Sequence, residues 1–251
     1  INSELLVDSG RLITEDVVAE SVTIINGATV SHFVATTLAA HLLVFDVAGD
    51  FFISSGSTID ATGKGYLGGY AGGNSNYNGR TTGNTTTGGS AMYNGGSYGG
   101  LGGIYGTGSV NAAYGDLMNP DEPGSGGGAY SSSAAYAGGN GGGLVKITAG
   151  TLQVDGSIAA DGESKANPYG WYMGGGSGGG IMIRASTLSG TGTISAKGGA
   201  SSYGGAGGGG RIALYAVEGS GYTGTVSVDG GISGSGGTAT RNGQPGSVYL
   251  A

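Results

Sequence analysis

Apolar residues fall at alternate positions in three short runs, LVKITAG, IMIRAS and IALYAV, and again in the final SVYLA. Such alternation predicts β-strands with one buried face. The inward set is Val145, Ile147 and Ala149, then Ile181, Ile183 and Ala185, then Ile212, Leu214 and Ala216, then Val248 and Leu250. First members lie 36, 31 and 36 residues apart, which is a repeat period. A second strand follows each alanine after nine, nine and ten residues, centred on Ile158, Ile194 and Val226. A looser copy, LVFDVAGDFFISSGSTIDATG, carries Ile59 at the same place.

Two strands recurring in order, joined by glycine-rich connections and with no amphipathic helix between them, predict an all-β fold. Its expected form is a parallel β-solenoid, β-helix-like, with glycine-rich excursions stacked on one side. Residues 1–47 read as an irregular N-terminal β region or cap, and residues 48–251 as the solenoid, broken by a long Gly/Tyr/Asn excursion at 64–143. The outward position before each turn glycine carries Thr62, Asp161, Lys197 and Asp229 in successive copies. Stacking would set Lys197 between two aspartates, a favourable cross-strand arrangement.

Glycine supplies 62 of 251 residues, against a usual ~7%. Four prolines and irregular glycine spacing exclude collagen. The glycine runs are far longer than the step between neighbouring strands, so each must leave the strands and return. Backbone without side chains allows successive excursions to pack on one another, pairing their amides and carbonyls. Many of these glycines are expected at positive φ. Tyr136, Tyr172 and Tyr203 each stand nine residues before the first inward residue of a repeat, which predicts a stacked aromatic column.

Nine Lys and Arg are scattered through a chain of net charge −7, so no phosphate-tracking basic patch is available and nucleic acid is not an expected partner. Absence of cysteine removes disulfides, thiolate nucleophiles and cysteine metal sites. No apolar run approaches the ~18 residues of a membrane span.

The stretches YAGGNGGGLVKI, MGGGSGGGIMI and YGGAGGGGRIAL, each joined to a short Ile/Val strand, resemble the glycine-rich repeats of bacterial extracellular β-helix and adhesin-like proteins. The glycine runs alone are similar to those of polyglycine-rich phage tail-tip adhesins. The resemblance covers roughly Leu43 to Ala251, implies an extracellular or cell-surface location and adhesion, and transfers no catalytic residue.

The expected function is therefore that of a non-catalytic structural or adhesive protein, self-assembling end to end into filaments or holding a surface receptor or polysaccharide. End-to-end contact would use the strand-like termini, with Leu5 and Val7 at one end and Val248 and Leu250 at the other. A carbohydrate-binding module is the alternative, built on the aromatic loop of Tyr169, Trp171 and Tyr172. A polysaccharide-degrading β-helix enzyme ranks below both, since Lys197 interrupts the acids Asp155, Asp161 and Asp229. The long excursion adds Tyr66, Tyr70, Tyr77, Tyr93, Tyr98, Tyr105, Tyr114 and Tyr130, as binding surface or as cover for glycine backbone. His32 and His41 read as structural. Asp121 and Glu122 read as part of a proline turn, and no metal or cofactor is expected.

Overall fold

The structure, a computed structural model, describes residues 3–166, 170–216, 221–234 and 239–251. Its strands are β1 (Glu4–Asp8), β2 (Arg11–Ile13), β3 (Asp16–Ala19), β4 (Ser21–Ile25), β5 (Thr29–Ser31), β6 (Leu43–Ile53), β7 (Thr58–Asp60), β8 (Leu144–Val154), β9 (Ser157–Ala159), β10 (Gly180–Gly190), β11 (Thr193–Ser195), β12 (Arg211–Ala216), β13 (Gly221–Tyr222), β14 (Thr225–Ser227) and β15 (Ser247–Leu250). Helical structure among the described residues is limited to three single 3₁₀ turns. The strands form two open parallel sheets. One runs β1-β4-β6-β8-β10-β12-β15, with β3 added to β6 and β13 to β10; the other runs β14-β11-β9-β7-β5-β2.

Register follows the apolar pattern. Val145 pairs with Ile181, Ile181 with Ile212, and Ile212 with Val248, while Leu43 extends the same row through Val145. In the second sheet Ile59, Ile158, Ile194 and Val226 stand in one row. A one-residue slip would turn every one of these side chains to the opposite face, so burial fixes the pairing. The inward rows of the two sheets meet in a single core that includes Phe45, Phe51, Ile147, Ile158, Ile183 and Ile194.

The N-terminal region is not irregular. β1 and β4 belong to the first sheet, β2 and β5 to the second, and the row of Ile59 continues through Val30 to Leu12. The boundary expected at residue 47 falls inside β6. Short turns explain why the longer repeat is absent here: Asn26 and Gly27, at φ 56° and 75°, reverse the chain directly between β4 and β5. The column of outward charges also differs from expectation. Asp161 accepts a hydrogen bond from the backbone N–H of Lys197 at 2.6 Å, and among the described residues the Lys197 ammonium pairs with neither Asp161 nor Asp229. A carboxylate beside a free strand-end amide makes a charge-assisted bond, which holds it in place of the lysine ammonium.

From β7 onward, each strand of the second sheet leads into a glycine-rich stretch that returns to the first sheet. These stretches are extended and hydrogen-bonded to one another with a period of three. In the stretch before β10, Gly174 donates to Gly128, Gly175 to Gly205 and Gly176 to Glu163, over 2.9, 2.9 and 3.1 Å. The next three residues repeat the set: Ser177 donates to Ser125, Gly178 to Gly208 and Gly179 to Ala160, over 2.9, 2.9 and 2.7 Å. The segment before β12 follows the same rule, since Gly205 and Gly208 donate to Tyr93 and Gly96, Ala206 and Gly209 to Arg241 and Gln244, and Gly207 and Gly210 to Gly199 and Ala196.

Three residues per turn without internal hydrogen bonds is the geometry of a polyproline-II helix, whose amides point outward in three directions. Each segment thus serves three neighbours. Glycine is required because the neighbours touch at backbone: a Cβ on Gly174 would lie 1.9 Å from the Asn94 oxygen, and one on Gly207 would lie 1.8 Å from the Gly176 oxygen. Positive φ, expected for many of these glycines, occurs instead at turns such as Gly106 and not within residues 174–179 or 204–210. A polyproline-II segment has φ ≈ −75°, which any residue adopts, so the missing side chain decides the composition.

The long excursion threads this lattice rather than projecting from it, because Gly96 donates to Gly175 and accepts from Gly208. Its own hub is the buried Asn111. The Asn111 Oδ1 accepts from the Ser97 N–H at 2.8 Å and the Ser90 hydroxyl at 2.9 Å, and its Nδ2 donates to the Ser97 carbonyl at 2.9 Å. Ser125 and Thr81 join the same buried network.

Candidate functional site

Aromatic residues gather at one border of the glycine lattice. Trp171 and Tyr172 immediately precede the segment 173–180, so the lattice that fixes Gly174 fixes them too. Trp171 packs on Tyr130 and Tyr136, with ring centroids 4.7 and 5.6 Å away. Tyr172 stacks on Tyr105 at 4.3 Å and meets Tyr93 and Tyr203 edge-on at 6.3 and 6.1 Å. Tyr93 closes the cluster by touching Tyr105 and Tyr130. All seven rings are half-buried. The expected column of Tyr136, Tyr172 and Tyr203 is therefore a two-dimensional cluster, in which Tyr136 reaches Tyr172 only through other rings.

Backbone bonds hold these rings in place. Tyr105 donates its N–H to the Asn94 Oδ1 at 2.7 Å, and the adjoining Ile104 donates to Thr240 at 2.7 Å. Arg241 lies over the Tyr105 ring, its guanidinium carbon 4.6 Å from the centroid. The Tyr105 hydroxyl is bonded to Tyr172, which raises its pKa above the ordinary phenol value. Tyr93 and Tyr70 take φ of 70° and 52°, backbone conformations that cost a bulky residue ~1–3 kcal/mol and persist where the surroundings over-determine them.

Beside the cluster opens a groove of about 650 Å³ whose lining includes Tyr77, Tyr93 and Tyr105, the polar Asn76, Asn78 and Thr107, and the apolar Ala91 and Met92. Tyr77 is braced edge-on by Tyr70 at 4.9 Å. The sequence contains all of these tyrosines, but nothing in it brings residues 76–78 to residue 105. That contact depends on the path of the glycine segments between them.

The residues expected to act are placed as follows. Tyr169 lies outside the described residues. Trp171 and Tyr172 do not form a separate loop site; they are part of the seven-ring cluster. Leu5 is half-buried and Val7 buried, both against the core at the β1 end. Val248 and Leu250 are 38% and 70% exposed on the terminal strand β15, beside an apolar cavity of about 480 Å³ lined by Leu214, Tyr222 and Val226. β1 and β15 each offer one unpaired edge among the described residues.

The acids are engaged structurally. Asp155 accepts from Gln153 at 2.7 Å and from the Thr191 N–H at 3.1 Å, while Asp229 accepts from the Ser227 hydroxyl at 2.6 Å. Glu122 ties two loops together by accepting from Tyr66 at 3.0 Å and Thr82 at 2.7 Å. Among the described residues no group of three or more His, Asp and Glu side chains is placed to hold a metal ion, and no helix is long and apolar enough to cross a membrane. His32 is fully buried. Its Nδ1 lies 2.8 Å from the Phe33 carbonyl, its Nε2 has no hydrogen-bond partner among the described residues, and burial pushes its pKa down to about 4.

Compared with protein-family models, with curated proteins and with solved structures, the chain matches none.

Proposed function

We propose that this chain is a non-catalytic structural or adhesive protein of the extracellular space or cell surface. In this reading the two parallel sheets are the paired faces of a β-solenoid, and the glycine segments are a flange stacked along one side of it. The observation that carries the adhesive role is the seven-ring aromatic cluster, held half-buried on a backbone-locked lattice. Tyrosine and tryptophan supply large contact area for little conformational entropy, and rigid support lowers the cost of binding further. Engagement of Asp155, Asp161 and Asp229 in local hydrogen bonds favours this role over polysaccharide cleavage.

The test is saturable retention of fluorescently labelled protein on intact bacterial, algal and plant cell surfaces. Retention that is competed by unlabelled protein supports adhesion; none on any surface refutes it. End-to-end assembly is a second reading, favoured by the unpaired edges of β1 and β15 and the apolar cavity beside Leu250. Contact between those unlike edges is heterologous and extends as a filament unless it closes into a ring.

A further inference from the structure

We propose that the groove lined by Tyr77, Tyr93 and Tyr105 binds a neutral oligosaccharide, an inference that rests on the adhesive reading and assigns its ligand and site. At about 650 Å³ the groove has the size of an ordinary ligand cleft, large enough for a few sugar rings. Tyr77, 37% exposed, supplies a ring face suited to the C–H side of a pyranose, and Tyr105, whose two faces are taken by Tyr172 and the Arg241 guanidinium, lines the groove by its edge. Its rim is uncharged: Asn76, Asn78 and Thr107 line it, and no Asp, Glu, Lys or Arg does. The lining itself offers no counter-charge to a uronate, phosphate or basic peptide, and the neighbouring Arg241 guanidinium is engaged on a face of Tyr105.

The rim also has unused hydrogen-bonding capacity. Asn76 accepts from the Asn78 N–H at 2.9 Å through its Oδ1, leaving its Nδ2 available. The Asn78 carboxamide and the Tyr77 and Thr107 hydroxyls make no hydrogen bond among the described residues. A carboxamide presents a donor and an acceptor together, and a sugar hydroxyl answers both. A proline-rich peptide also docks on tyrosine grooves, but its backbone offers chiefly acceptors and would leave the Asn78 oxygen without a donor. The observations therefore favour a glycan.

The site is also preorganised. Tyr105 is pinned by Asn94 and by its stack on Tyr172, Gly106 turns the chain at φ 72°, and Tyr77 leans on Tyr70. A ligand entering it need not order these walls, so binding retains more of its contact energy.

The experiment is ¹⁵N-resolved NMR titration and calorimetry of the full chain with neutral cello-, manno-, galacto- and chito-hexaoses and with a proline-rich peptide. The same titrations are run on Tyr105→Phe, Tyr105→Ala, Asn78→Ala and Trp171→Ala, with thermal melting of each variant. At least one hexaose is expected to shift the Asn78 side-chain amide and the backbone of residues 106–108. Tyr105→Ala and Asn78→Ala should each weaken binding about tenfold, and Tyr105→Phe and Trp171→Ala less than about threefold. Asn78 is a surface variant that keeps the test decisive if Tyr105→Ala melts early. Binding of no hexaose, binding of the peptide alone, or hexaose binding lost in Trp171→Ala but kept in Asn78→Ala each overturns the proposal. Saturable retention on cells that survives in Asn78→Ala and Tyr105→Ala would overturn the groove and leave adhesion standing, whereas failure of retention in the unmodified protein refutes adhesion itself.

Discussion

Gly178 donates its amide hydrogen to the carbonyl of Gly208 across 2.9 Å, and three residues earlier Gly175 does the same to Gly205. The two segments therefore run parallel and touch once per turn of a threefold helix. The same turn directs the intervening amides to two other segments, so that each strand of glycine has partners on several sides. Order in such a lattice comes from satisfied backbone groups rather than from side-chain packing, and it offsets the high entropy cost of fixing glycine.

A side chain placed within the lattice should break it. The Cβ of Gly179→Val would lie 2.0 Å from the Gly143 oxygen, and that of Gly208→Val 2.1 Å from the Gly100 oxygen. Each is expected to lower stability by about 3 kcal/mol or more, measured by chemical denaturation. Gly221→Ala, whose Cβ would meet among the described residues only the Ser189 Cβ at 3.9 Å, is the neutral control.

Asn111 should be the most sensitive polar residue of the long excursion. Asn111→Leu leaves the buried Ser97 N–H without its acceptor, at about 1–3 kcal/mol, and strips the Ser97 carbonyl and the Ser125 hydroxyl of the Asn111 Nδ2 donor, while the Ser90 hydroxyl keeps the Gly95 carbonyl. A loss of about 2–4 kcal/mol is expected from denaturant midpoints. A loss below 0.5 kcal/mol, on the order of a surface substitution, would show that the network does not hold the excursion.

Stability should fall on mild acidification because of His32. Burial lowers its folded pKa from 6.5 to about 4, aided by nearby Lys64 and His41 and opposed by its bond to the Phe33 carbonyl. Between those values the unfolded chain binds the proton and the folded chain does not, so stability declines as pH drops from 6.5 to 4. The slope approaches about 1.4 kcal/mol per pH unit and totals about 3 kcal/mol. Urea unfolding across this range in the unmodified protein and in His32→Leu should show the slope reduced by that amount in the variant.

Lysine at the β15 edge should block association without unfolding. Val248 and Leu250 are already exposed, so Val248→Lys with Leu250→Lys is expected to cost under ~1 kcal/mol. Sedimentation velocity should give larger species for the unmodified protein and monomers for the variant. An unmodified protein that sediments as a monomer at high concentration would rule out end-to-end assembly.

The strand rows were legible in the sequence because alternation is a local signal. Val145, Ile181, Ile212 and Val248 pair in the register their spacing predicts. Only the strand-like run of β1 was legible in the N-terminal region; β2 to β5 were not, since turns of one to three residues give no repeat of thirty-odd positions. The glycine segments carried even less information. Nothing in MGGGSGGG distinguishes the amide that meets Gly208 from the one that meets Ser125, because glycines differ only in their surroundings. For the same reason the aromatic loop at Trp171 was visible, while its merger with Tyr93 and Tyr105, and the groove beside them, depended on the lattice path.

The most direct measurement is through-hydrogen-bond scalar coupling by NMR between the Gly178 amide nitrogen and the Gly208 carbonyl carbon, with the Gly175–Gly205 pair beside it. The lattice predicts a correlation at both pairs and amide exchange slowed to the level of the β10 strand. Absence of both correlations, together with exchange at the rate of free peptide across residues 174–179, would contradict it.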